Sequence, residues 1–170
     1  MPLSMHQASV PIFVQMLTNA LAWLDKAEAH AKAKKFSPDV WVTTRLTPDM
    51  LPFSAQIGIA TDHVKGCVAR LAGVQPPKWA DDEKTLDELR ARLRKALDYA
   101  QSIPAAQLEG SETREVSLPL GSGALKMTGE AYLKGFALPN FFFHVTMAYA
   151  ILRHGGVDVG KMDYLGGAPR

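Results

Sequence analysis

An all-α domain carrying one small β-hairpin is the fold that this sequence predicts. Three observations predict it. Four segments repeat apolar residues at helical spacing, one stretch alternates with a period of two, and the composition can fill a single core. The 170 residues are 47% hydrophobic and 21% charged, with a formal net charge of +2. That length suits one domain over residues 1–170. A chain of this size buries about 70% of the surface its unfolded form exposes, so it needs no disulfide or metal staple.

The first helix is marked by Val10, Phe13, Val14, Leu17, Leu21 and Leu24, a single apolar stripe. Ser9 is placed to cap it with Pro11 in the first turn, unless residues 4–8 add a turn before a kink. Ser37-Pro38 stops it. Residues 36–52, with three prolines, read as an irregular connection. The second helix runs from Pro52 to near Gly73, with Phe53, Ile57, Ala60, Val64, Cys67 and Leu71 in a narrow arc. Gly58 and Gly66 interrupt this pattern and suit either close helix contact or plain surface positions.

The connection GVQPPKWADDEK, residues 73–84, reaches about 40 Å when extended. The helix before it is about 30 Å long. The linker can therefore run the length of a bundle and leave the third helix parallel to the second. Thr85 and Glu88 form a capping box for that third helix, whose buried stripe is Leu86, Leu89, Leu93, Leu97 and Ala100. Glu88–Arg92 and Arg94–Asp98 stand at i,i+4, and the mixed charges read as a solvated face.

After Pro104 the period becomes two. Val116, Leu118 and Leu120 alternate with Glu115, Ser117 and Pro119, and Leu125 and Met127 continue beyond Gly121-Ser122-Gly123. Such a hairpin is barely stable alone, so it must pack on the helices or across a subunit boundary. A short helical piece, 129–136, precedes a last helix entered at Pro139. The run FFFHVTMAYAIL, 141–152, is apolar nearly all round, which places it at the centre of the core or under a partner subunit. Tyr164-Leu165 end the ordered tail if they dock.

Composition excludes several classes of function. No Lys/Arg cluster makes a basic stripe, so no nucleic-acid partner is expected. No Lys or Arg precedes Lys26, so the N-terminus lacks a signal-peptide layout. No apolar run reaches the ~20 residues of a membrane span. The lone cysteine, Cys67, fits a reducing compartment, and a cytoplasmic location without a membrane partner is expected. Phosphate-loop, G-x-S-x-G and C-x-x-C patterns are missing. Cys67 sits in an apolar stripe and reads as a small core residue. Trp23, Trp41, Trp79, Tyr132 and Tyr149 read as packing before they read as pocket lining.

Of the five histidines, His30 and His154 fall at helix ends, where positive charge suits the dipole. His63 stands at the edge of its helix's inward face, and His144 lies within the most apolar segment. If these helices pack together, both imidazoles converge on the bundle interior, where bundle metal sites are built. The bland alternative is a pair of histidines satisfied by backbone, Asp62, Asn140 or Thr146. A catalytic zinc takes three protein ligands, and the only further guesses are His6, Glu130 and Asp163.

The pieces SMHQASVPIFVQML, TDHVKGCVARLAG, VSLPLGSGALKMTG and LPNFFFHVTMAYAILRHGGVDVGKMDYLG resemble a bacterial family of unknown function. It belongs to the DinB/YfiT-like superfamily, whose better-known members are metalloenzymes. The resemblance implies an up-down-down-up four-helix bundle, commonly a homodimer. In those members a divalent metal, often zinc or nickel, is held by one histidine on the second helix and an H-x-x-x-H pair on the fourth. Some are thiol-dependent transferases or isomerases. His63 matches the second-helix ligand and His144 the first of the fourth-helix pair, while the third position holds Ala148. The expectation is a metal-free or weakly metal-binding homodimer with a small-molecule-binding or structural role. The alternative is a divalent-metal-dependent, thiol-dependent transferase or isomerase using His63 and His144.

Overall fold

Residues 3–121 and 123–167 are described by the structure, a computed structural model, with the backbone alone for Leu120. Ser9 stands at the N-cap of helix α1 (Val10–Lys34), yet its hydroxyl does not cap the helix. It donates instead to the Met5 carbonyl at 2.7 Å, because residues 4–8 form turns that already feed the helix entry. The helix ends on Lys35 in the left-handed conformation, at φ 63°. The connection that follows is less irregular than its prolines suggest. One helical turn, α2 (Val40–Thr43), seats Trp41 beneath α1, with the indole N–H on the Ala27 carbonyl at 3.2 Å.

Helix α3 (Phe53–Leu71) and helix α4 (Leu86–Ser102) are joined by the extended crossover, and both capping-box bonds of Thr85 and Glu88 are made. Arg92 meets Thr61 at 2.9 Å, and Trp79 lies between Lys65 and Lys95, so the two helices run in the same direction. The last helix pairs with α3 the other way round and with α1 in parallel, through Phe13–Phe141 and Trp23–Tyr149. The result is an up-down-down-up bundle. Phe13, Leu17, Trp23, Leu24, Ile57, Leu89, Leu93 and Phe141 fill its centre.

The charges of α4 are not all solvated. Arg92 has a side chain only 2% exposed, held by Asp62, Asp81 and Glu83 at 2.8 Å each. Glu88 is not its partner, because the Glu88 carboxylate is occupied by the Lys84 and Thr85 amides. Arg90 is likewise tied to Asp25, Glu28 and Asp87. Local spacing suggested i,i+4 pairs, and long-range carboxylates reach these guanidinium forks first. Gly58 faces the crossover rather than another helix, since a Cβ there would lie 3.7 Å from Asp81.

Strands β1 (Glu115–Leu120) and β2 (Gly123–Thr128) pair antiparallel, with Val116 opposite Met127 and Leu118 opposite Leu125. Val116 and Leu118 turn into the core, and Leu125 stays exposed. The middle of the turn, Ser122, lies outside the described residues. Helix α5 (Gly129–Tyr132), a π-helical turn (Leu133–Ala137) and helix α6 (Leu138–His154) then follow without a break. The expected separation at Pro139 does not occur. A wide π turn tolerates the missing proline N–H, and Asn140 Nδ2 donates to the Phe136 carbonyl at 2.7 Å. The fused helix, Gly129–His154, is long and apolar enough to cross a membrane by length and composition, which the shorter run did not suggest. Here it lies along α3 and α1. Only one face is fully buried, through Phe141, Val145, Ala148, Ile151 and Leu152, while Phe143 is 51% exposed. The tail docks as helix α7 (Lys161–Leu165), with Tyr164 stacked on Trp23.

Candidate functional site

Three residues of α3 at seven-residue spacing, Gln56, His63 and Arg70, meet the fused last helix in reverse order. Seven residues are close to two helical turns, so the three fall on one line. Gln56 meets His144, His63 meets His144 and Phe136, and Arg70 meets Tyr132. The two histidines singled out in the sequence are thus brought together. Their rings are nearly parallel, 15° apart, with centroids separated by 6.1 Å.

Gln56 settles the tautomer of His144. Its Nε2 donates to the Leu51 carbonyl at 3.2 Å, which turns Oε1 toward His144 Nδ1 at 2.8 Å. Nδ1 therefore carries the proton, and Nε2 of the neutral ring keeps its lone pair. None of the partners expected for a bland pair does this. Asn140 bonds the Phe136 carbonyl, Thr146 bonds the Tyr164 hydroxyl, and Asp62 turns away to Arg92 and Lys65.

His63 takes no protein hydrogen bond among the described residues. Desolvation first, then the neighbouring His144, hold its pKa down at about 4; Asp62 opposes this and Arg70 adds to it. Desolvation also lowers His144. Both imidazoles are neutral at pH 7, as bases or soft ligands must be. Cys67 lies on the same helix, fully buried, and burial pushes its thiol pKa far up, so it is core, as its stripe implied. Tyr132 is buried as well, and desolvation pushes its phenol up to about 12.

The donor set does not fit the three-ligand metal site that the fold suggests. Among the described residues no group of three His, Cys, Asp or Glu side chains could hold a metal. Ala148, one turn beyond His144, is 0% exposed and has no donor atom. Glu130 pairs with Lys134 and shares a cavity with His6, formed by the N-terminal turns and the segment around Leu108. Asp163 is held against α1 by Lys26 at 2.7 Å. None of the three further guesses completes a cluster with His63 and His144.

The family model for a domain of unknown function, DUF1993, matches residues 5–165. The chain belongs to this family. It is also similar to the crystal structure of a DinB family member from Shewanella denitrificans. The two share 42% identity and a TM-score of 0.89, over 97% of this chain and 93% of that one. No curated protein matches. The structural likeness covers nearly the whole bundle, and neither comparison attaches a reaction to it.

Sequence reasoning found His63 and His144 but missed Gln56, Arg70 and the placing of Tyr132. The heptad line 56–63–70 was available as a signal on one helix. What it faced was not, because the fused helix sets that register.

Proposed function

We propose that this DinB-like protein is a cytoplasmic helical homodimer with a small-molecule-binding or structural role, and that its His63–His144 contact between α3 and α6 binds divalent metal weakly or not at all. The observation that carries this reading is the donor count. Two neutral imidazoles meet between α3 and α6, and the position that would supply a third is a fully buried alanine. A catalytic zinc site takes three protein ligands and an open position. Two imidazoles walled by Phe136 and Phe143 make a half-apolar surface with hydrogen-bond acceptors, the composition of a small-molecule site. For the dimer, the support is Phe143, half exposed on an otherwise apolar helix beside His144.

One observation favours a second reading, a divalent-metal-dependent transferase or isomerase. The Gln56 bond fixes His144 with Nε2 unprotonated, as outer partners do for metal-bound histidines. In that case His63 and His144 would hold zinc or nickel, and the metal would acidify a bound water or thiol.

Elemental analysis of untagged protein equilibrated with zinc or nickel decides between them, beside His63→Ala and His144→Ala. The proposal expects metal well below one per chain in all three. One metal per wild-type chain, lost in both variants, would overturn the proposal and establish the metal site that the second reading needs. For the dimer, light scattering should give twice 18.5 kDa, and Phe143→Lys should shift it toward 18.5 kDa. A wild-type monomer would remove that part of the proposal.

A further inference from the structure

Among the described residues, four arginines are partly or wholly withdrawn from solvent, and they divide into two pairs. Arg90 and Arg92 each hold three carboxylates. Arg70 and Arg114 hold none among the described residues. Arg70 Nη1 donates to the Tyr132 hydroxyl at 3.1 Å, and its guanidinium lies back along α3 over Gly66, where any Cβ would collide with it. Arg114 Nη1 donates to the Leu71 carbonyl at the end of α3, and its fork lies flat on Gly73, 3.6 Å from where a Cβ would stand. Gly73 is left-handed, at φ 74°, so the backbone reserves that place for glycine, although a Cβ there would make only ordinary contact with the fork.

Arg70 and Arg114 both line one cavity of about 560 Å³ between the end of α3, the start of the crossover and the hairpin. Gln75 and Ser117 add neutral donors to its wall. The one carboxylate in the lining, Glu115, is paired with Lys126 at 3.0 Å. The C-terminal end of α3 offsets part of the Arg114 charge. Arg70 has only a phenol beside it, and that phenol is neutral. A guanidinium has five N–H donors, and each of these two commits one to the protein contact named.

We propose that this cavity binds a small oxyanion, a phosphate monoester or a carboxylate, through Arg70 and Arg114. Two guanidinium-bearing residues on one cavity can match the lone pairs of such a group, and the anion supplies the countercharge that Asp and Glu supply to Arg90 and Arg92. The site lies beyond the His63–His144 pair and does not depend on the reading given to that pair.

Isothermal titration of the full chain at constant ionic strength tests this, with inorganic phosphate and succinate as separate probes. Saturable one-to-one binding of either, with Kd of about 1 mM or tighter, is expected. Tighter phosphate assigns a phosphoryl ligand, and tighter succinate a carboxylate. Arg70→Gln and Arg114→Gln should each weaken binding about tenfold or more, while the exposed Arg94→Gln changes nothing. If Arg114→Gln melts because α3 loses its cap, Arg114→Lys keeps a charge there and should still bind about tenfold more weakly. No saturation by either probe, wild-type affinity in Arg70→Gln, or an equal loss in Arg94→Gln would overturn the proposal.

Discussion

Asp62 and His63 are neighbours on α3, yet they serve regions of opposite character. Asp62 turns to the crossover, where Arg92 gathers three carboxylates, the Thr61 hydroxyl and the Ala80 carbonyl around one buried fork, beneath the Trp79 ring. Charges there are matched and donors are occupied. His63 turns to the last helix, where two imidazoles sit with no ion pair and one of them with no protein hydrogen bond among the described residues. The difference teaches what each surface is for. The matched side fixes the 73–84 crossover and thereby the direction of α4. The unmatched side leaves lone pairs and aromatic edges available, as the proposed binding role requires.

The largest expected effect lies on the matched side. Arg92→Met leaves Asp62 with Lys65 but takes the guanidinium from the half-buried Glu83 and from Asp81, and should cost about 2–3 kcal/mol in urea unfolding. A cost below about 1 kcal/mol would mean that the clamp is a surface pair in effect, and the contrast between the regions would fail.

On the unmatched side the signature is pH. His63 has an ordinary pKa of 6.5 and about 4 in the folded chain. Between those values the unfolded chain takes up a proton that the folded chain resists. Stability is therefore full above pH 6.5 and falls as pH drops toward 4. The loss should be about 1–2 kcal/mol, less than the full shift implies because the ring is partly solvated. Denaturation at pH 7 and pH 5 measures it, and His63→Gln should flatten the difference. An equal pH dependence in that variant would place the titration elsewhere.

The smallest effect is Gly66→Ala. The new methyl meets only the flexible tip of Arg70, and alanine favours the helix by up to about 1 kcal/mol. Stability should change by less than about 1 kcal/mol while Arg70 leaves Tyr132, which near-ultraviolet dichroism of the tyrosine band would register. A large destabilisation would mean that the guanidinium is fixed as firmly here as Arg92 is.

Much of this contrast was legible in the sequence, though unevenly. The stripes from Val10 to Leu24 and from Phe53 to Leu71, the Thr85–Glu88 box and the alternation around Val116 are local signals, and local physics decides them. The burial of Arg90 and Arg92 was not legible, since it depends on carboxylates from α1, α3 and the crossover rather than on neighbours four residues away. The last helix misled for a similar reason. Pro139 is a good first-turn residue, and only the π turn with its Asn140 bond allows the chain to run through it. That continuity sets the register which lays His144 against His63 and Tyr132 against Arg70. Of the site, the two histidines could be read from their helices and the missing third at Ala148 through the family resemblance, whereas the Gln56 bond that selects the His144 tautomer needed the fold.

Chelator competition for zinc tests the central claim most directly, the claim that two imidazoles without a third protein ligand make at most a weak metal site. Zinc-loaded protein should lose its metal to a weak chelator, with no change in the imidazole nitrogen resonances of His63 and His144 beyond that of the metal-free chain. Retention of one zinc per chain against a strong chelator, with both resonances shifted, would contradict it.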